Sequence, residues 1–212
     1  MSNKGYLITF EGGEGGGKTT QIVRLRHKLT KAGRDVVVLR EPGGTVISEQ
    51  IRDVVLSSKN TGISFTAEVL LFQAARAQIY REIVLPSLEA DKVVLMDRSR
   101  DSSVVYQGMV RGFGEKLIEE LNDISTKKTI PNLTILLDLS VKTGLSRRRK
   151  SGKVDRLDME GDNFHEKVRK AYLELAKRNQ GKRWEVVDAE KSIEAVEDGV
   201  WEVVCKKLGI RQ

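Results

Sequence analysis

The sequence is poor in residues that staple a chain, break it or ligate metals. It has one cysteine, two histidines and three prolines in 212 residues. A single cysteine, Cys205, excludes an internal disulfide and fits a reducing compartment. It falls in the apolar stripe Val200, Val203, Val204, Leu208 and reads as a small buried hydrophobe. His27 and His165 lie in polar helical stretches, so both are expected at the surface. Aromatics make up 5% of the chain, and no aromatic-rich or arginine-rich module for gripping nucleic acid is present. No apolar run approaches the ~20 residues of a membrane span. The opening MSNKGYLITFEGG lacks the apolar length and cleavage segment of a secretory leader, so no signal peptide is expected. These shortages point to a cytoplasmic protein with neither a membrane nor a nucleic-acid partner.

What is abundant is charge and glycine. Lysine and arginine number 37 against 30 acids, a net +7, which favours anionic partners: nucleotides, nucleic acid or an acidic surface. Hydrophobic residues at 39% and charged ones at 32% are those of a globular chain, and residues 1–212 are read as one domain. Five short β-branched or aliphatic runs recur: 6–12, 35–40, 92–97, 132–139 and 183–189. Their near-continuous apolar character predicts strands buried on both faces of a parallel sheet. Stretches of helical period separate them, as in Ile22, Leu25, Leu29 or Val168, Tyr172, Leu175. Strand and helix alternation predicts a doubly wound α/β fold with ligands at the carboxyl ends of the strands. Pro86 is expected to kink or end the helix that contains it. Residues 147–165 are polar and almost without apolar period, which fits either a flap or a surface loop.

Five glycines crowd the stretch GGEGGGKTT between Gly12 and Thr20. Gly12-x-x-x-x-Gly17-Lys18-Thr19 has the spacing of a phosphate-binding P-loop, set between a strand and a helix. Gly12, Gly13, Gly15, Gly16 and Gly17 let backbone N–H groups turn inward onto phosphate, and the helix amino end adds partial positive charge. Lys18 can bridge the β- and γ-phosphates of a nucleoside triphosphate, Thr19 can hold Mg²⁺, and Thr20 extends the same turn. Asp97, at the end of the third strand run, is placed to bind the metal or its water, and the adjacent Arg98 to take a phosphate bidentately. Glu14 is the anomaly, a carboxylate inside an anion-binding loop.

Taken in order, FEGGEGGGKTTQ (10–21), REPGGT (40–45) with Ile51-Arg52, EVLLFQAARAQ (68–78), DRSRDSSVVYQG (97–108), LLDLS (136–140), DRLDME (155–160) and VRKAYLELA (168–176) resemble the thymidylate kinase family. The likeness runs from residue 6 to about 190. It implies a three-layer α/β/α P-loop kinase fold with a five-stranded parallel sheet and a short lid over about 147–162. It also implies transfer of the γ-phosphoryl group of ATP to dTMP with Mg²⁺, and a homodimer.

Residue by residue, the resemblance assigns Phe72 to stacking on thymine and Arg76, one helical turn on, to its O4. Arg40 and Arg98 hold the dTMP phosphate, Ser103 and Gln107 face the base, and Tyr106 crowds the sugar's 2′ position. Glu14 then reaches the acceptor's 3′-hydroxyl or a metal-bound water. No arginine stands between residues 13 and 16, so a catalytic cation is expected from Arg147, Arg148, Arg149, Lys153 or Arg156, with Arg149 and Arg156 first. Three departures are expected to loosen the pocket: Ser99 opens one wall, Ala75 removes a support for Arg76, and Val104-Val105 is bulky before Tyr106. The adenine is expected near Asp188-Ala189, where a plain strand-to-helix connection is the other reading. Rival functions are a kinase for dUMP or a broader pyrimidine set, a nucleic-acid-binding P-loop regulator, and an inactive homologue.

Overall fold

The computed structural model describes residues 5–150, 152, 155–179 and 181–210. β1 (Tyr6–Glu11) buries five successive side chains from Leu7 to Glu11, because it is the middle strand of a sheet covered on both faces. It pairs in parallel with β3 (Val93–Asp97) on one side and β4 (Leu133–Asp138) on the other. β2 (Val36–Arg40) and β5 (Trp184–Asp188) complete the order β2-β3-β1-β4-β5, all parallel. The register sets Phe10 and Arg40 both opposite Asp97, and Glu11 opposite Leu136. The carboxyl ends of four strands are thereby level, and the loops leaving them share one rim.

Alternation along β1 sends Ile8 and Phe10 to one face, where α1 (Lys18–Lys31) and α9 (Ile193–Leu208) cover them with Ile22, Leu25, Val196 and Val200. Leu7 faces the opposite side, against Ile79, Tyr80 and Val84. That second layer holds α3 (Phe65–Ile79), α4 (Leu85–Glu89), α5 (Arg100–Ser103), α6 (Glu115–Ser125) and α8 (Asp162–Arg178). α2 (Val46–Leu56) packs on α3, and α7 (Val141–Lys150) leads into the lid stretch. This is the expected three-layer α/β/α P-loop kinase fold.

One expectation is narrowed and one corrected. Pro86 does not end its helix: a π-helical turn, Tyr80–Val84, joins α3 to α4, and Leu85 N–H bonds the Tyr80 carbonyl. The proline then sits in the first turn of α4, where its missing N–H costs least. A second π segment, Val104–Val110, extends α5 and carries Tyr106 and Gln107. His165 is buried rather than exposed, edge-on to Phe164 at 5.5 Å, and its Nε2 has no partner among the described residues. It precedes buried Val168 and Tyr172 by three and seven residues, which puts it on the inner stripe of α8. Cys205 is buried in α9 and His27 is exposed. Among the described residues no helix is long and apolar enough to cross a membrane.

Candidate active site

An open cleft of about 830 Å³ lies over the carboxyl ends of the strands, and residues 14–21 form its floor. Gly17, at φ 82°, turns the chain into α1, and no side chain caps that helix among the described residues. Its first N–H groups, uncapped by any side chain among the described residues, are thereby open to an anion, as phosphate binding requires. Lys18 Nζ folds back over the loop to the carbonyls of Gly12 (3.2 Å) and Gly13 (2.8 Å). Burial, with Arg98 beside it, lowers the pKa of the Lys18 ammonium. Thr19 donates its hydroxyl proton to Asp97 Oδ2 at 2.7 Å, so the two residues expected to hold a metal lie side by side. Both groups are hard oxygen donors, a set that suits Mg²⁺.

Arg98 is the centre of the other half. Its φ of 66° is unusual for a residue with a side chain, and its N–H is held by the Phe10 carbonyl at 2.9 Å. The guanidinium donates from Nη1 to Gly12 O (3.0 Å) and from Nη2 to Glu14 Oε1 (2.5 Å), and lies 5.3 Å over the Tyr106 ring. Tyr106 donates its hydroxyl to the same Glu14 oxygen at 3.1 Å. Burial alone would raise the Glu14 pKa, but Arg98, Lys18 and Arg148 together bring it down to about 2. The carboxylate in the anion-binding loop is thus a counter-ion to the arginine beside it.

Arg40, Phe72, Arg76, Ser103, Tyr106 and Gln107 line the same cleft, as expected. Arg40 is held by both oxygens of Glu49 at 2.9 Å, and Glu49 also accepts from Gly44 N–H at 2.7 Å. The absence of an acid at Ala75 does not loosen Arg76. That arginine is fixed by Glu41 (2.8 Å), Ser103 (3.0 Å), Asn122 (2.9 Å) and the Ser99 carbonyl (3.1 Å). Ser99 does not open the wall either, because Tyr80 fills the space with its hydroxyl 2.9 Å from Ser99 Oγ. Val104 and Val105 put their bulk into the core. Gln107 donates to Glu68 Oε1 at 2.9 Å.

The lid assignments need correction. Arg156 is buried, donating to Glu68 Oε2 at 2.6 Å and to the Val55 carbonyl at 3.0 Å, and it does not line the cleft. The reason is Glu68, a buried acid on α3 that requires a cation. Arg149 is exposed and also stands outside the cleft, and Lys153 lies outside the described residues. Arg147 and Arg148 are the cleft-lining cations of α7. Arg148 is steadied by Asp155 (3.1 Å) and by both oxygens of Asp158, and Arg147 donates to the Ala189 carbonyl at 3.0 Å. Ala189, Lys191, Ser192 and Ile193 form the adjoining wall, next to the strand end expected to meet adenine, and Asp188 receives the Glu190 N–H as a turn residue. α7 seats directly on the P-loop: a Cβ at Gly144 would lie 2.3 Å from the Glu14 carbonyl oxygen, and one at Gly15 would lie 2.0 Å from the Gly144 oxygen.

Sequence reasoning missed Arg52, Tyr172 and Glu11. Arg52 lines the cleft, bonds the Pro42 carbonyl at 2.6 Å, and has its pKa lowered by burial and by Arg40. Glu11 is wholly buried at the end of β1, and burial with Asp101 nearby pushes its pKa up to about 7. An acid closing a strand run of apolar residues was the available signal.

A family model described as thymidylate kinase matches residues 10–200. The thymidylate kinase of Acholeplasma laidlawii (strain PG-8A) is 44% identical over 204 residues, 95% of this chain and all of that protein. That of Thermoanaerobacter sp. (strain X514) is 43% identical over 205 residues, 97% of this chain and all of that one. The crystal structure of thymidylate kinase from Ehrlichia chaffeensis superposes with a TM-score of 0.78 at 32% identity, covering 95% of this chain and 99% of the other.

Proposed function

The chain belongs to the thymidylate kinase family, and on that premise we propose that it transfers the γ-phosphoryl group of ATP to dTMP, giving dTDP and ADP. One observation carries this reading. Lys18 and Arg98 both donate to a single backbone oxygen, the Gly12 carbonyl, so the donor-side and acceptor-side cations converge on one point.

In this reading the loop N–H groups of residues 12–20 receive the ATP phosphates, and Lys18 moves from the Gly12 and Gly13 carbonyls onto the β- and γ-oxygens. Thr19 and Asp97 hold Mg²⁺, which when bound neutralises charge on the phosphate oxygens. The adenine lies by Ala189 and Ile193. Arg98 and Arg40 grip the dTMP phosphate, fixing its attacking oxygen in line with the γ-phosphorus. Among the described residues Arg76 makes four of its five possible donations, leaving one Nη2 hydrogen for thymine O4. Phe72 stacks on the ring, Ser103 and Gln107 border the base, and Tyr106 crowds the 2′ side of the sugar. Glu14, ionised at neutral pH, accepts from the 3′-hydroxyl. The phosphate needs no base to release it, so positioning and charge neutralisation do the catalytic work.

The late-arriving cation is Arg148, supported by its place on the cleft wall and its influence on Glu14. The lid over about 147–162 and the rest of the chain work as one domain. The enzyme is cytoplasmic and pairs with a second copy, a reading supported by exposed Val46, Val54 and Leu70 on neighbouring helices α2 and α3. The test is a coupled ADP-release assay with Mg-ATP across dTMP, dUMP, UMP, CMP, AMP and GMP. dTMP is expected to be the best acceptor, with dUMP behind it by about 10–200-fold, the worth of one methyl in an apolar pocket. A different best acceptor defeats the pocket assignment.

A further inference from the structure

Glu11 is the last residue of β1 and points to the same side as Leu7 and Thr9, under the acceptor half of the cleft. Its Oε1 accepts the backbone N–H of Ser99 at 2.9 Å. Its Oε2 accepts two hydroxyl protons, from Ser102 at 2.6 Å and from Tyr172 at 2.8 Å. The same two hydroxyl oxygens lie 2.8 Å from one another and 3.3 Å and 3.2 Å from Arg98 Nη1, which gives one of its two hydrogens to Gly12 O and shares the other between them.

Counting protons gives the network a direction. Each hydroxyl owns one proton. With Glu11 ionised, both protons go to its carboxylate, and the oxygen lone pairs are left facing the guanidinium. An amide at position 11 would set its N–H either against the Ser99 N–H, where donor would meet donor, or against the two hydroxyls, turning at least one of their protons away from position 11 and toward Arg98 or the other hydroxyl. We infer that Glu11 is a positioning residue for Arg98, aiming that guanidinium through the hydroxyls of Ser102 and Tyr172. Its bond to Ser99 N–H adds a second restraint, immediately after the left-handed backbone of Arg98. Glu11 touches neither substrate in this account. The inference rests on the reading above, in which Arg98 holds the acceptor phosphate.

The geometry also separates this role from a merely structural one. Glu11 leads directly into Gly12, so a structural defect at the strand end would disturb the P-loop and ATP as much as the acceptor. The experiment is steady-state kinetics of the full chain at pH 8, above the value of about 7 for Glu11. Glu11→Gln, which keeps the shape, is expected to lower kcat/KM for dTMP by at least about tenfold while KM for ATP stays within about twofold. In an Arg98→Ala background the same change is expected to cost less than about twofold more, because the group it aims is gone. Ser102→Ala and Tyr172→Phe each remove one intermediary and are expected to show the same dTMP-selective loss, so the inference remains testable if Glu11→Gln does not fold. Equal losses for dTMP and ATP overturn it, as does additivity with Arg98→Ala, or neutrality of both hydroxyl variants. If Arg98→Ala itself leaves turnover unchanged, the assignment of Arg98 to the phosphate is what has failed.

Discussion

Glu11 beneath the cleft and Glu14 at its lip are three residues apart and both beside Arg98, yet their acidities diverge in opposite directions. Glu14 sits among Arg98, Lys18 and Arg148, which outweigh its burial and bring it to about 2. Glu11 is helped by Arg98, by the Ser102 and Tyr172 hydroxyls and more weakly by Lys18, and faces Asp101; burial takes it to about 7. Depth separates them only a little, the Glu14 side chain being 15% exposed and Glu11 fully buried. What differs is the number of cations that reach each carboxylate directly, and this makes one a permanent counter-ion and the other a group that titrates near neutrality.

Removing the arginine common to both should have the largest effect. Arg98→Ala is expected to lower kcat/KM for dTMP by about a thousandfold with KM for ATP nearly unchanged, the scale of a lost phosphate clamp. Parallel loss of ATP affinity would show that the two halves of the cleft are not separate. Glu14→Gln, next in size, is expected to cost about a hundredfold in dTMP use. If ATP binding falls equally, Glu14 serves the loop's geometry and not the acceptor.

A third prediction uses pH. Glu11 has a folded pKa raised from 4.5 to about 7, so its contribution favours folding below 4.5 and is lost as pH rises through 7. Glu14, lowered from 4.5 to about 2, contributes stability above 4.5 that is lost only as pH falls toward 2. Urea unfolding at pH 5 and pH 8 should therefore show Glu11→Gln losing about 2 kcal/mol less than the parent over that interval. Identical slopes would mean that the carboxyl is not raised. The smallest effect concerns the cations at the lip. Arg148→Ala is expected to reduce turnover about tenfold, with Arg147 partly covering for it. Arg156→Ala should instead leave turnover within about twofold and lower the urea midpoint, since it strips buried Glu68 of its nearest cation. Reversal of those two outcomes would return the lid role to Arg156.

The strands were legible because β-branched runs such as VVVLR and TILLD have little other use, and observed ends fall within a residue or so of the runs. The donor loop was legible because backbone binding of phosphate demands glycine at fixed spacing. Arg156 was not, since whether an arginine faces ATP or a buried acid depends on Glu68, nearly ninety positions away. His165 was readable: it shares the helical phase of Val168 and Tyr172, and polar neighbours in sequence hid that. Glu11 was masked by its position at a strand end, where only the folded chain shows which hydroxyls meet it.

The contact between Gly15 and Gly144 makes the P-loop a fulcrum. Glycine inside a helix forfeits about 1 kcal/mol against alanine, yet here alanine's methyl would act as a wedge driven between two backbones. The arm it would pry upward is α7, with Arg148 one helical turn out along it. Leverage of that kind ties the reach of the lid to the width of a single missing methyl.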